Sequence, residues 1–253
     1  TDFYNEYRRQ VYKKGTLGQM DGKFTTYNLY NKVFNNDLMA TANFDISSDL
    51  NIRVIAGHNI FQQERRRTIV TGTDLVMDEL YRFGNAKSTS ADNYYSIKRL
   101  MGIYGDVSMS YKNFLYLNVT GRNDWSSTLP VENNSYFYPS VSSSFVFSEF
   151  IPANKVLSFG KLRLSWANVG SDENPYQLDF QYTAANTYYA QFSLNGTFPH
   201  GGVVGVTGPR IYPTADLEPQ NASTIEVGSN IILFNNRIGI DFTYYSIMTT
   251  NQI

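Results

Sequence analysis

The stretch STIEVGSNIILFNNRIGIDFTYY, residues 223–245, alternates apolar and polar side chains along two runs separated by FNNR, 234–237. In the first run Ile225, Val227, Ile231 and Leu233 oppose Thr224, Glu226, Gly228 and Asn230. In the second, Ile238, Ile240, Phe242 and Tyr244 oppose Gly239, Asp241 and Thr243. A spacing of two places alternate side chains on opposite faces of a strand, so these runs predict an antiparallel hairpin with one apolar and one polar face.

The same split recurs along most of the chain. Leu38, Ala40, Ala42, Phe44 and Ile46 alternate with Thr41, Asn43 and Asp45, and Ile52, Val54, Ala56 and Ile60 with Asn51, Arg53 and Asn59. Further runs are Met101, Ile103, Val107 and Met109; Leu115, Leu117 and Val119; Val141, Phe145 and Phe147; and Leu162, Leu164 and Trp166. Within these spans the charges Asp45, Arg53, Asp106, Arg122, Lys161, Arg163, Glu226 and Asp241 all take the polar parity. Residues 24–47 read as one very long strand, and 1–12 as a strand paired beside it.

Connections alternate in length. Short turns are expected at 47–50, 111–113 and 234–237, with a medium one at 148–158; long connections are expected at 62–97, 123–135 and 170–220. Since antiparallel strands reverse at each turn, the sheet has one trimmed end and one elaborate end. Aromatic residues collect at both: Tyr111, Phe114, Phe147, Phe150, Phe159 and Phe234 at the first, Phe61, Tyr94, Trp125, Tyr136, Tyr138 and Trp166 at the second. Only TDLVMDELYRFG, 73–84, reads as a short helix, inside a long loop.

Composition narrows the function classes. The 253 residues carry a formal net charge of -1 and only 17% charged residues, against 15% aromatics. Without a basic surplus there is no electrostatic footprint for nucleic acid. The chain contains no cysteine, which removes disulfides, thiolate catalysis and sulfur-ligated metal. No apolar run reaches the roughly 18 residues that a membrane helix needs, which leaves a spanning barrel open. A soluble or surface-exposed β-sandwich, acting as an adhesin or carbohydrate-binding protein, shares the alternation, because its apolar face is simply a core. Strands of barrel length, unequal ends and two aromatic bands favour a transmembrane barrel. About nine strands, an odd count, make it an arc of a larger one.

The order of motifs adds a resemblance. LNVTGRNDWSSTLPVENNSYFYPSVSSSFVFSEF, 117–150, followed by LSFGKLRLSWANVGSDENPY, 157–176, and by ADLEPQNASTIEVGSNIILFNNRIGIDFTYY, 215–245, resembles the barrel of SusC/RagA-family TonB-dependent outer-membrane transporters of Bacteroidetes. The resemblance covers most of 100–250 and, more weakly, 1–62. It implies an all-β, antiparallel transmembrane β-barrel, plugged, with long extracellular loops and short periplasmic turns, to which residues 1–253 contribute one arc. The plug and terminal strands are expected to lie outside this chain. It also implies TonB-dependent import of glycans or oligopeptides across the outer membrane, with TonB engaged through the plug region and a SusD-like surface lipoprotein as a lid.

Candidate sites follow at the elaborate end. Arg122, Asp124 and Trp125 stand where a strand leaves the apolar band, either as a rim contacting substrate or lid, or as a self-bonded corner with Arg122 paired to Asp124 and Trp125 in the aromatic band. The corner is preferred, since a segment that marks a family of differing substrates suits architecture better than specificity. Tyr188, Tyr189 and Phe192, in the longest loop, are the alternative ligand or lid contacts. ERRR, 64–67, is read as a solvated loop end, with outer-membrane lipid or lipopolysaccharide phosphates as the competing partner. His58 and His200 lack ligand spacing, and SDENP, 171–175, lacks that of a calcium loop. No metal, cofactor or catalytic residue is expected, and the protein is read as a non-enzyme.

Overall fold

The computed structural model describes residues 1–16, 21–152, 155–180, 182–184, 186–189, 194–197, 202–208, 213 and 216–252. Seven long strands come first: β1 (Asp2–Tyr12), β2 (Lys23–Asp45), β3 (Leu50–Leu75), β4 (Ala86–Tyr111), β5 (Leu115–Ser126), β6 (Ser135–Phe145) and β7 (Leu157–Ser171). Four short ones follow, β8 (Thr183–Ala184), β9 (Asn186–Tyr189), β10 (Leu194–Thr197) and β11 (Val206–Thr207), then β12 (Gln220–Leu233) and β13 (Ile238–Thr250). The long strands form one nine-stranded antiparallel sheet in the order β1-β2-β3-β4-β5-β6-β7-β12-β13, with open edges at β1 and β13. The short ones pair as β8 with β11 and β9 with β10. Among the described residues, no helix is long and apolar enough to cross a membrane.

Register turns the sequence alternation into rows. Ala42, Val54, Val107, Val119, Val141, Trp166 and Ile225 are successive cross-strand partners and so share one face. One residue along, Asn43, Arg53, Ser108, Asn118, Ser142, Ser165 and Glu226 form the matching row on the other. A one-residue slip at any pairing would mix the rows, so the register is specified strand by strand.

No second layer covers the apolar face among the described residues: Val227 is 49%, Ile240 50% and Leu164 57% exposed. A sandwich would bury these side chains against one another. A continuous apolar face of this extent is instead what a hydrocarbon solvent accommodates.

The trimmed end is closed by tight turns. In the three-residue turn between β4 and β5, Lys112 and Asn113 both take positive φ, 48° and 62°, and Phe114 N donates to the Tyr111 carbonyl at 3.1 Å. Beside them Phe114 packs against Phe150 and Phe145, with ring centroids 4.7 Å and 6.1 Å away. Phe147 lies over Gly160, where any Cβ would collide with its ring.

At the other end the strands run well past the apolar band, so the expected loop at 62–97 is largely strand. β2, β3 and β4 stay paired up to Lys23, Thr73 and Ser88, and β1 joins β2 over this upper part. By the usual strand rise, Gln62 to Leu75 adds roughly 40 Å. The short helix expected at 73–84 is replaced by the end of β3, a turn, and a single 3-10 turn at Phe83–Asn85. Pairing and a side-chain clip take the backbone groups a helix would need. Leu75 is buried and paired with Ala86, and Asn85 Nδ2 donates to the carbonyls of Met77 and Leu80 at 2.8 and 2.7 Å. Asp74 and Glu79 take positive φ, which breaks a helix.

A small knot closes this tip. Phe24 is buried against Phe83, centroids 4.7 Å apart, with the Arg9 guanidinium 5.4 Å from its ring. Nearby Lys13 Nζ donates to Glu79 at 2.7 Å, and that hydrogen bond and charge hold the lysine pKa above its ordinary value.

Spin labels placed singly at Val227 and Ile240 in the full-length protein should relax strongly with a lipid-phase quencher and weakly with a polar one. Protection from both quenchers would mean that the apolar face is a protein core.

Candidate functional site: the rim and the polar wall

Where β4, β5 and β6 leave the apolar band, their polar faces converge. Arg122 pairs across β5 with Tyr104 on one side and Tyr138 on the other, and Asp124 with Gly102 and Tyr136. Residues 122 and 124 share a face because they are two apart. Arg122 Nε donates to Asp124 Oδ1 at 2.8 Å, and the Tyr138 hydroxyl donates to Asp124 Oδ2. The Asp124 side chain is only 5% exposed, and these donors replace the hydration its carboxylate oxygens lose.

Glycines make room for the assembly. A Cβ at Gly102 would overlap the Asp124 carboxylate and the Arg122 guanidinium. The Tyr104 ring lies over Gly57, and the Arg122 guanidinium sits 5.7 Å from the centre of that ring. The result is a stack across four strands: Gly57, Tyr104, Arg122 with Asp124, then Tyr138 against Tyr136 at 5.4 Å.

A second clamp ties this corner to the long connection after β7. Lys98 Nζ meets Asp172 Oδ1 at 2.7 Å, and Asp172 Oδ2 accepts from the hydroxyls of Ser126 and Thr128. Asp172 is thus a structural acceptor for the SDENP stretch. Leu129, Tyr136 and Leu217 form a small buried cluster above it, with Leu178 packed alongside.

The expected Arg122–Asp124 pair therefore forms, while Trp125 points to the opposite, apolar face, paired with Met101. Tyr188 and Tyr189 lie on β9, hydrogen-bonded in register with Asn195 and Leu194 of β10. Phe192 and His200 fall outside the described residues. His58 is on the apolar face, between Leu38 and Ile103. Tyr138, expected in the aromatic band, instead lies on the polar face beside Arg122, and Gly102 and Lys98 carry no motif. The two-residue spacing of Tyr136 and Tyr138, matching that of Arg122 and Asp124, is the signal that could have revealed the first.

ERRR lies within β3, not at a loop end, and the strand divides it. Arg65 and Arg67 take the polar-face parity, with Arg67 5.4 Å from the Tyr94 ring. Arg66 takes the other, ion-paired to Glu64 at 2.5 Å and 5.5 Å from the Tyr95 ring. The run is therefore not one basic patch.

Lower on the polar face the wall is a set of short side-chain networks. Asp106 accepts from Ser108 at 2.9 Å and Asn118 at 2.5 Å. Arg163 Nη2 meets Asp241 Oδ1 at 2.6 Å and Thr243 Oγ1 at 3.2 Å, while Asn230 donates to Asp241 at 2.9 Å. Arg163 and Asp241 neutralise each other, Asp106 is held by neutral donors, and both networks suit a hydrated surface. Among the described residues no three His, Asp or Glu side chains gather as a metal site.

Asp124→Ala in the full-length protein should strand Arg122 and Tyr138, lowering barrel stability by about 2 kcal/mol. Gly102→Ala should do comparable damage by displacing the carboxylate. Heat-dependent gel migration of the folded barrel measures both, and a wild-type midpoint in either variant would show that the corner does not depend on Asp124.

Comparison with known proteins places this geometry. The family described as TonB dependent receptor-like, beta-barrel, matches residues 1–253. TonB-dependent receptor P3 of Formosa agariphila is 21% identical over 209 residues, 80% of this chain and 20% of that protein. TonB-dependent receptor P26 of the same organism is 26% identical over 154 residues, 60% of this chain and 14% of that one. The chain thus spans a fifth or less of these relatives. The RagAB peptide transporter superposes with a TM-score of 0.82 over 98% of this chain and 27% of its own, at 18% identity. The RagAB peptide importer in its closed-closed state gives 0.76 over 90% of this chain and 24% of its own, also at 18% identity.

Proposed function

The chain belongs to the TonB-dependent receptor-like β-barrel family of outer-membrane proteins, and from that premise we propose that it is the wall of an active importer. One observation carries the reading: the register separates an uninterrupted apolar row on one face from an uninterrupted polar row on the other across β2 to β12. Such a sheet serves two solvents at once, lipid outside and water inside.

In this reading the polar networks at Asp106 and Asp241 line a lumen filled by a plug that other segments supply, and TonB acts through that plug. The cargo is a glycan or an oligopeptide, and the similarity to a peptide transporter supports the second. A SusD-like lipoprotein covers the mouth. Tyr188, Tyr189 and Phe192 of the long connection after β7 are the substrate or lid contacts, and Arg122 with Asp124 holds the rim. The wall conducts cargo and performs no chemistry on it, so the protein is not an enzyme.

Cells carrying the full-length protein should accumulate a fluorescent oligopeptide or oligosaccharide pool above the level of a deletion strain, and lose that accumulation when TonB is removed. Uptake that persists without TonB would replace the importer with a passive pore.

A further inference from the structure

The apolar face changes character at the level of Trp125. Phe34, Ile60, Met101 and Trp125, from β2, β3, β4 and β5, line an outward groove of about 420 Å³ whose upper wall includes Gln62 and Arg99. Phe34, Gln62 and Arg99 are one cross-strand row, directly above the row of Ile60, Met101 and Trp125. Arg99 is exposed, and its Nε donates to Gln62 Oε1 at 3.0 Å, which holds the guanidinium against the outer face. Its backbone is fixed as well: Ser127 N donates to the Arg99 carbonyl at 3.0 Å and Ser127 Oγ accepts from Arg99 N at 2.9 Å.

The next rows upward on this face hold Lys32 beside Glu64, and then Arg66 between Tyr30 and Tyr95. Same-face rows lie about 7 Å apart along a strand. Three cations against one carboxylate therefore stand within about 15 Å above an apolar groove that continues into the lipid-facing band.

We propose that this groove binds a phosphorylated glycolipid of the outer leaflet. One acyl chain lies along Ile60, Met101 and Trp125, and a headgroup phosphate meets Arg99, with Lys32, whose Nζ rests 5.8 Å from the Phe3 ring of β1, as the flanking cation. Two features favour this occupant. The groove is continuous with the surface already in contact with lipid, so the chain reaches it by lateral diffusion without crossing water. The charge above it is net positive, and a guanidinium presents a fork that matches phosphate oxygens. Arg65 and Arg67 of the same basic run have no part, because they face the interior.

The test uses full-length protein extracted from outer membranes in mild detergent, with co-purified phosphorylated glycolipid counted by native mass spectrometry. Lys32→Gln with Arg99→Gln should reduce retained glycolipid by roughly an order of magnitude or more. The inner-face control, Arg65→Gln with Arg67→Gln, should leave it unchanged. Ile60→Trp, which fills the groove without altering charge, should also lower it, and enzymatically dephosphorylated glycolipid should rebind poorly. Unchanged retention in the outer pair or in Ile60→Trp, equal loss in the inner pair, or undiminished binding of the dephosphorylated form would each overturn the proposal. The proposal rests on the barrel reading, and the two fail differently: release without detergent sinks the barrel, whereas detergent-dependent extraction with unchanged retention sinks only the groove.

Discussion

In hydrocarbon, no water is available to satisfy a backbone amide or carbonyl, so every one must find its partner across a strand. That constraint makes the wall a single continuous ladder, and it leaves side-chain direction as the only remaining variable. With a period of two, direction assigns each residue to lipid or to lumen. The valine row from Val54 to Val141 and the polar row from Arg53 to Ser142 are consequences of the same ladder read on its two sides. The turns, the bulge-free pairing of β3 with β2 and the aromatic packing at Phe114 all serve to keep that register.

Legibility in sequence follows the same physics. Where one face meets lipid and the other water, hydropathy alternates, and the strands around Val54, Val119 and Ile225 could be read directly. Above the band both faces are wet, the contrast vanishes, and Gln62–Leu75 and Ala86–Lys98 looked like loop although they are paired without a break from Gln62 with Arg99 to Thr73 with Ser88. The apparent helix at 73–84 arose from the same loss of contrast. Leu75 in that stretch is buried and strand-paired, and Asn85 binds the intervening backbone from a distance that a local pattern does not encode.

The rim shows a similar division. Arg122 and Asp124 are two apart on one strand, so their pairing could be expected from the sequence alone. Tyr138 and Gly102 reach the same carboxylate only through the register of β6 and β4, which no single segment specifies. Asp172 likewise joins Lys98 from 74 residues away. GRNDWSS is therefore less a contact surface than a junction, with Trp125 turned to lipid and the charged pair turned inward.

The unequal strand heights have a mechanical meaning. β1 to β4 rise beyond the rest of the sheet as a ribbon, a cantilever whose stiffness comes from cross-strand bonds. A sideways load on the Phe24 knot is delivered, through the lever arm of β3 and β4, to their foot. There Tyr104 bears on Gly57 and Lys98 grips Asp172, so a push at the tip registers as torque at the mouth.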